Sequence, residues 1–348
     1  MYRGENSQMV KKRTAAFGLF VLLLIASVYV DSGVRHLRET VEAKGTESEE
    51  ISESENVIHG PKEMVWEDLC EDSNDEPMSD STEKEPEPWV FINPEGMTLL
   101  TRFNTPEGYF RTEALENSFA EFVLNYPLKE DGAQVFLYNR TPSPYQICNM
   151  AVFDLPIENV DLQQCADSVM RFYAEYYWNQ GCADQLSFYY TTGFVSDYAS
   201  WREGYRVQYA ENQFSWVASA GYEDSYSRFV AFLRHAFTFA GTRSMDYYEA
   251  YTITMDEVEI GDVFLEGGSP GHVVMVVDIC YDEQGRKAFL LADGHTPAQD
   301  FHVMKNALHE DNPWYYEEEI VYPFETYAHI YSENSLQRVT YDRYLNAE

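Results

Sequence analysis

Basic side chains are scarce in this chain of 348 residues: 24 Lys and Arg stand against 59 Asp and Glu, for a formal net charge of −35. A surface of that sign repels phosphate, which argues against nucleic acid as a partner. It equally disfavours peripheral docking on anionic lipid. Cysteine is sparse as well: Cys70, Cys148, Cys165, Cys182 and Cys280, with no CxxC pair. That removes support for zinc-ribbon and thioredoxin-type readings, and the odd number leaves at least one thiol free or paired between chains. A disulfide among Cys148, Cys165, Cys182 and Cys280 is feasible outside the cytoplasm, but the spacing selects no pair. His272, His295 and His302 lack a recognised ligand spacing, so no metal is expected, and no motif implies a cofactor.

Long apolar runs are absent but for one. Lys11, Lys12 and Arg13 precede TAAFGLFVLLLIASVYV, residues 14–30, which holds 17 mostly apolar residues and no charge. At about 1.5 Å per residue this is near the lower limit for crossing a bilayer. The three cations predict a cytoplasmic segment over 1–13, a transmembrane signal-anchor over 14–30 and an outward-facing remainder. A cleaved secretory signal is the rival reading, and both place the main domain outside the cytoplasm. Residues 31–88 carry 5 basic and 19 acidic side chains and few aromatics. Such a segment cannot bury enough apolar surface to offset its ordering entropy, and is expected to be a disordered acidic linker.

What the rest has in quantity is aromatic: Tyr 27, Phe 21 and Trp 6 in the chain, recurring every few residues from Trp89 onward. With no second linker and no internal repeat, residues 89–348 read as one extracytoplasmic domain. DLQQCADSVMRFYAEYYW, residues 161–178, has apolar side chains at helical spacing and an Asp161/Gln164 start that resembles a capping box. Residues 224–240 repeat the pattern, with Asp224 placed to cap and Gly241 to end it. Residues 112–124 form a weaker helical candidate. Strands are expected at 135–138, 186–192, 205–209, 214–218, 262–265, 273–279, 288–292 and 300–304. The YDEQGRKA turn after Cys280 joins the sixth and seventh of these as a hairpin. The fold class is therefore α+β, an antiparallel sheet with packed helices.

His272 stands where GGSPGH gives way to VVMVVDI. An imidazole at the mouth of a buried strand is held rigidly, which suits a structural hydrogen bond and a catalytic base alike. The pattern Glu259-Ile260-Gly261-Asp262, then Gly271-His272 heading an apolar strand, resembles the second half of papain-like cell-wall peptidases and amidases of the NlpC and CHAP type. That resemblance implies an upstream cysteine at a helix start as nucleophile, His272 as base and a downstream polar residue that orients the ring. Cys165 fits the order, with Gln164 placed to assist an oxyanion. Cys182, in GCADQL before a strand, fits less well. Asp293, which ends FLLAD, is the expected orienter, with His295 and Gln299 following in the loop. If Asp161 caps the helix, however, Cys165 is its fourth residue and falls on the apolar face, where a small buried cysteine is inert.

Longer stretches, among them QCADSVMRFYAEY, FTFAGTRSM, GHVVMVVDI and FLLADGHTPAQDFHVMKN, resemble the secreted proteins grouped as domain of unknown function 4846, a resemblance that brings no activity with it. Trp201, Arg202 and Arg206 in SWREGYR, together with Gln299, are expected to contact a ligand, since rare guanidinium groups suit a carboxylate. Arg171 and Glu175 can pair at i, i+4, on the surface or buried. Two functions follow. One is a membrane-tethered thiol amidase or peptidase acting on an envelope peptide. The other is a non-catalytic envelope domain that binds a small anionic ligand or a partner.

Overall fold

The computed structural model describes residues 89–343. The membrane-anchor and acidic-linker expectations, residues 1–88, lie outside the described residues, as does Cys70. Among the described residues no helix is long and apolar enough to cross a membrane.

Five helices matter here: α1 (Leu99–Arg102), α2 (Phe119–Asn125), α3 (Cys165–Asn179), α4 (Tyr198–Arg202) and α5 (Tyr226–Phe237). The strands are β1 (Asn149–Val152), β2 (Ser187–Tyr189), β3 (Val195–Asp197), β4 (Tyr205–Ala210), β5 (Gln213–Ala218), β6 (Ala250–Thr252) and β7 (Val263–Glu266). They continue with β8 (His272–Tyr281), β9 (Lys287–Asp293), β10 (His302–Met304), β11 (Tyr315–Tyr316), β12 (Phe324–Glu325), β13 (Ile330–Tyr331) and β14 (Leu336–Val339). The main sheet runs β1-β10-β9-β8-β7-β14-β6, with β11 also on β9; β2–β3, β4–β5 and β12–β13 are separate pairs. Every pairing in the main sheet is antiparallel. The result is one α+β domain.

β8 and β9 form the expected hairpin and are buried along both faces. That explains their unbroken apolar runs, because a strand covered on both sides has no polar face to alternate with. Val273, Met275 and Val277 of β8 share a core with Val169, Met170 and Phe172 of α3 and with Phe229 and Phe232 of α5. Val274, Val276, Phe289 and Leu291 face the other way, toward Tyr315, Phe324 and Tyr331. The pairing of β8 with β9 slips by one residue between Val276 and Asp278, and the bulge turns Asp278 inward.

The element boundaries differ from expectation where distant groups intervene. The first long helix starts at Cys165, not Asp161. Asp161 Oδ1 instead accepts the Ala298 N–H at 2.7 Å, a partner 137 positions away. In α5 the cap is Ser225, which accepts from Arg228 N, while Asp224 accepts from the Tyr222 hydroxyl. The helix ends at Phe237, short of Gly241. The candidate over 112–124 shrinks to α2, capped by Ser118. Residues 135–138 make only isolated bridges, from Phe136 to Pro142 and from Leu137 to Gln299. The four described cysteines are all free, so the envisaged disulfide among them is not formed.

Asp278 is fully buried, and Arg111 closes on it from the N-terminal segment. Arg111 Nε lies 3.0 Å from both carboxylate oxygens and Nη2 lies 2.6 Å from Oδ2, with Nη2 also donating to the Phe103 carbonyl at 2.8 Å. Removing one partner of a buried ion pair strands the other. Arg111→Ala is therefore expected to cost about 3–5 kcal/mol in urea unfolding, and a loss below about 1 kcal/mol, the range of exposed pairs, would show that the pair is not structural.

Candidate functional site

The start of α3 is set by its cap at Gln164. Gln164 is extended, and its N–H meets the Leu162 carbonyl at 2.8 Å and Asp167 Oδ2 at 3.1 Å. Asp167, the third helical residue, thus reaches back to the cap and makes Cys165 the first residue of the helix. The expectation that Cys165 sits a turn inside the helix is corrected by this shift of the cap from Asp161 to Gln164. The first N–H groups of a helix have no intrahelical acceptor, and they carry the positive end of its dipole. A negative sulfur at this position is stabilised by both.

The loop after β9 is pressed against the same turn. Gly294 has no side chain where a Cβ would overlap Ser168 Oγ and stand 3.1 Å from the Gln164 carbonyl oxygen. Gln164 fastens the approach from the other side. Its Oε1 accepts from Thr296 Oγ1 at 3.0 Å and its Nε2 donates to Asp161 Oδ1 at 3.2 Å. The Gln164 amide expected at an oxyanion is therefore engaged in holding this loop.

His272 opens β8 and by alternation lies on the face of Val274 and Val276. Asp293 ends β9 on the face of Phe289 and Leu291. His272 Nε2 stands 2.9 Å from Asp293 Oδ1, although the ring N–H does not point squarely along that line. Cys165 is close enough to the same imidazole for its sulfur to help raise the pKa of the ring. Cys165, His272 and Asp293 are only 8%, 6% and 3% exposed, so their charges interact with little screening by water. Burial pulls the His272 pKa down, but the Asp293 carboxylate and the Cys165 sulfur outweigh it and push it up to about 10. The structure thus brings together nucleophile-type, base-type and orienting side chains in the order sulfur, imidazole, carboxylate.

Other histidines surround this core. The His295 ring lies 5.2 Å from that of His272 and stacks on Tyr145 at 4.2 Å. Its Nδ1 accepts the Thr296 N–H at 2.8 Å. His329 lies 5.8 Å from His272. Burial, and then the charge on His272, hold its pKa below the usual value. His302 pairs with Asp293 across β9 and β10 and is likewise depressed, chiefly by burial. Among the described residues no group of His, Cys, Asp and Glu is arranged to hold a metal ion.

The remaining candidates stand apart. Cys182 follows the far end of α3, a helix of 15 residues, and at about 1.5 Å per residue that is roughly 20 Å from Cys165. Gln299 is fully buried and its Oε1 accepts from Ser143 Oγ at 2.7 Å, so Asp293 and not Gln299 backs the imidazole. Arg202 pairs with Asp184 at 3.6 Å. The Arg206 guanidinium lies 4.3 Å over the Trp201 ring and its Nη1 donates to the Trp201 carbonyl at 2.7 Å. These residues form their own group on α4 and β4. Arg171 and Glu175 are a buried pair at 2.6 Å, joined by the Tyr226 hydroxyl from α5.

Sequence reasoning missed His329 and Tyr331. Both come from β13 and the residue before it, a two-residue strand too short for any periodic signal.

A family model described as Domain of unknown function (4846) matches residues 99–338. No curated protein and no solved structure matches the chain.

The raised His272 pKa makes the pair pH-dependent in one direction. Its stabilisation is fully present below pH 6.5 and is lost as the pH rises through about 10. The difference in thermal midpoint between the parent and His272→Gln should therefore be largest in mildly acidic buffer and shrink as the imidazole deprotonates. A difference that stays constant across that window would show that His272 is not charged in the folded protein.

Proposed function

Because the chain belongs to the family described as Domain of unknown function (4846), a description without an activity, we propose a function from its site: a papain-like thiol hydrolase that cleaves an amide in an envelope peptide. The observation that carries this reading is the placement of Cys165 as the first residue of α3 near His272, with Asp293 2.9 Å from the ring.

In the proposed reaction Cys165 and His272 start as a thiolate–imidazolium pair, the thiol proton already on the ring, and the sulfur attacks the amide carbon. A C–S bond forms and the carbonyl π pair moves to oxygen. The tetrahedral intermediate collapses as the imidazolium gives its proton to the leaving nitrogen, which breaks the C–N bond. Water, deprotonated by His272, then hydrolyses the thioester and frees the sulfur. Asp293 holds the ring and balances the imidazolium charge throughout. The first-turn N–H groups of α3 face the developing oxyanion. The papain-like arrangement, the envelope substrate and the outward, membrane-tethered setting rest on the local sequence pattern and on residues 11–30.

A second reading, a non-catalytic domain that binds an anionic ligand, has one observation in its favour. Trp201 Nε1, Arg202 Nε and Arg206 Nη2 are buried donors without an acceptor.

The two readings separate on one variant. The full chain, incubated with a panel of short envelope-type peptides and followed by mass spectrometry, should cleave an amide bond. Cys165→Ala should lose turnover by a factor on the order of 10⁴ or more, as when a nucleophile is removed, while keeping its fold. Retained cleavage in Cys165→Ala would end the thiol mechanism.

A further inference from the structure

One buried group at the site has no role in the scheme above. Tyr331 is 0% exposed, and its hydroxyl has no hydrogen-bond partner. A buried hydroxyl left unpaired is costly, and proteins seldom retain one without a use. The hydroxyl's position is fixed by its surroundings. In the β12–β13 pair Ile330 points outward while Tyr331 points in, opposite Phe324. The ring is held by Phe264 at 5.9 Å, Phe324 at 6.2 Å and His329 at 5.2 Å. His329 in turn lies against His272. Tyr331 therefore belongs to the face of the sheet that presents His272 and Asp293.

We propose that the Tyr331 hydroxyl is a catalytic donor to the oxyanion, acting opposite the first-turn N–H groups of α3. This rests on the thiol-hydrolase reading. In the step concerned the C–S bond forms, the carbonyl pair moves to oxygen, and the phenol donates a hydrogen bond without giving up its proton. The hydroxyl remains protonated because burial first, and then the negative charges of Asp293 and Cys165, raise its pKa well above the ordinary value. The ring reaches the site through His329, which lies between Phe324-packed Tyr331 at 5.2 Å and His272 at 5.8 Å. Other side-chain donors are less suited. The Gln164 amide is bound to Asp161 and Thr296. The Gln299 amide has a free Nε2 but is anchored through its Oε1 to Ser143.

The test compares the full chain with its Tyr331→Phe variant, using two probes of Cys165. Iodoacetamide reports on the nucleophile alone, because alkylation by displacement of iodide develops no oxyanion. p-Nitrophenyl acetate reports on acyl transfer, in which the C–S bond forms through an oxyanion and p-nitrophenolate leaves. Tyr331→Phe should slow the acylation burst about 10²–10³-fold, the usual effect of removing one oxyanion donor, and leave alkylation unchanged. Its thermal midpoint should be equal or higher, since an unpaired buried hydroxyl has been removed.

Acylation unchanged in Tyr331→Phe overturns the proposal. Acylation and alkylation falling together also overturns it, because the ring would then be placing the Cys165–His272 pair. A clear drop in midpoint would assign the hydroxyl to structure and overturn it as well. A parent chain with no burst, whose Cys165 is alkylated no faster than in His272→Ala, overturns the thiol-hydrolase reading itself and Tyr331's role with it.

Discussion

Two elements from different layers of the fold must touch for the site to exist, and they touch where Gly294 leaves room for Ser168 and the Gln164 carbonyl. The approach brings the end of β9 against the first turn of α3. Asp293 is one residue before that contact, and Cys165 is one residue after the helix cap. His272 enters from the neighbouring strand, β8. The side chains of His272 and Asp293 lie on the face of the sheet away from the body of α3, so the helix reaches them only past the strand ends. This explains why the cluster bridges the two apolar cores, with Cys165 in the first and His272 and Asp293 on the face of the second.

Close contact between charged groups has a further condition, which is that water be kept out. The three central side chains are almost wholly covered, and histidine rings flank the imidazole. His295 and His329 pack against His272 at 5.2 and 5.8 Å. The pKa of His329 is held down by burial and by the charge on His272, so the positive charge of the cluster concentrates on His272. An uncharged His329 beside that charged pair preserves its strength. Additional cations at the same distance would weaken it.

The sequence was legible wherever the deciding contacts were local. The β8–β9 hairpin follows from two apolar runs and a turn between them, and α5 follows from its stripe. Cys165, His272 and Asp293 are singled out through the resemblance of the Gly261-Asp262 and Gly271-His272 pattern to NlpC- and CHAP-type hydrolases, which implies the order cysteine, histidine, orienter. The start of α3 could not be read, because it depends on Ala298 taking the Asp161 carboxylate across 137 positions. That one long-range bond decides whether Cys165 is a first-turn residue or a core filler. Arg202 and Arg206 were attractive because basic residues are rare, yet that rarity is also why each has its own acid or ring nearby. Tyr331 carried no signal, since a two-residue strand has no period and its significance lies in a hydroxyl without a partner.

The slip in β8 between Val276 and Asp278 divides one strand into two halves of opposite phase. Before it, odd-numbered side chains face the α3 core; after it, Cys280 does. A regular strand would keep a single phase from end to end and would lose no ladder bond. Such a strand would also rotate either the turn half, with Asp278 and its arginine, or the half that bears His272. Any drift of this sequence toward a more ideal sheet is thus opposed at both ends by groups that are not part of the sheet. The irregularity works as a gear between two requirements, a buried ion pair at one end and an imidazole of fixed direction at the other, and neither can be retuned without moving the other.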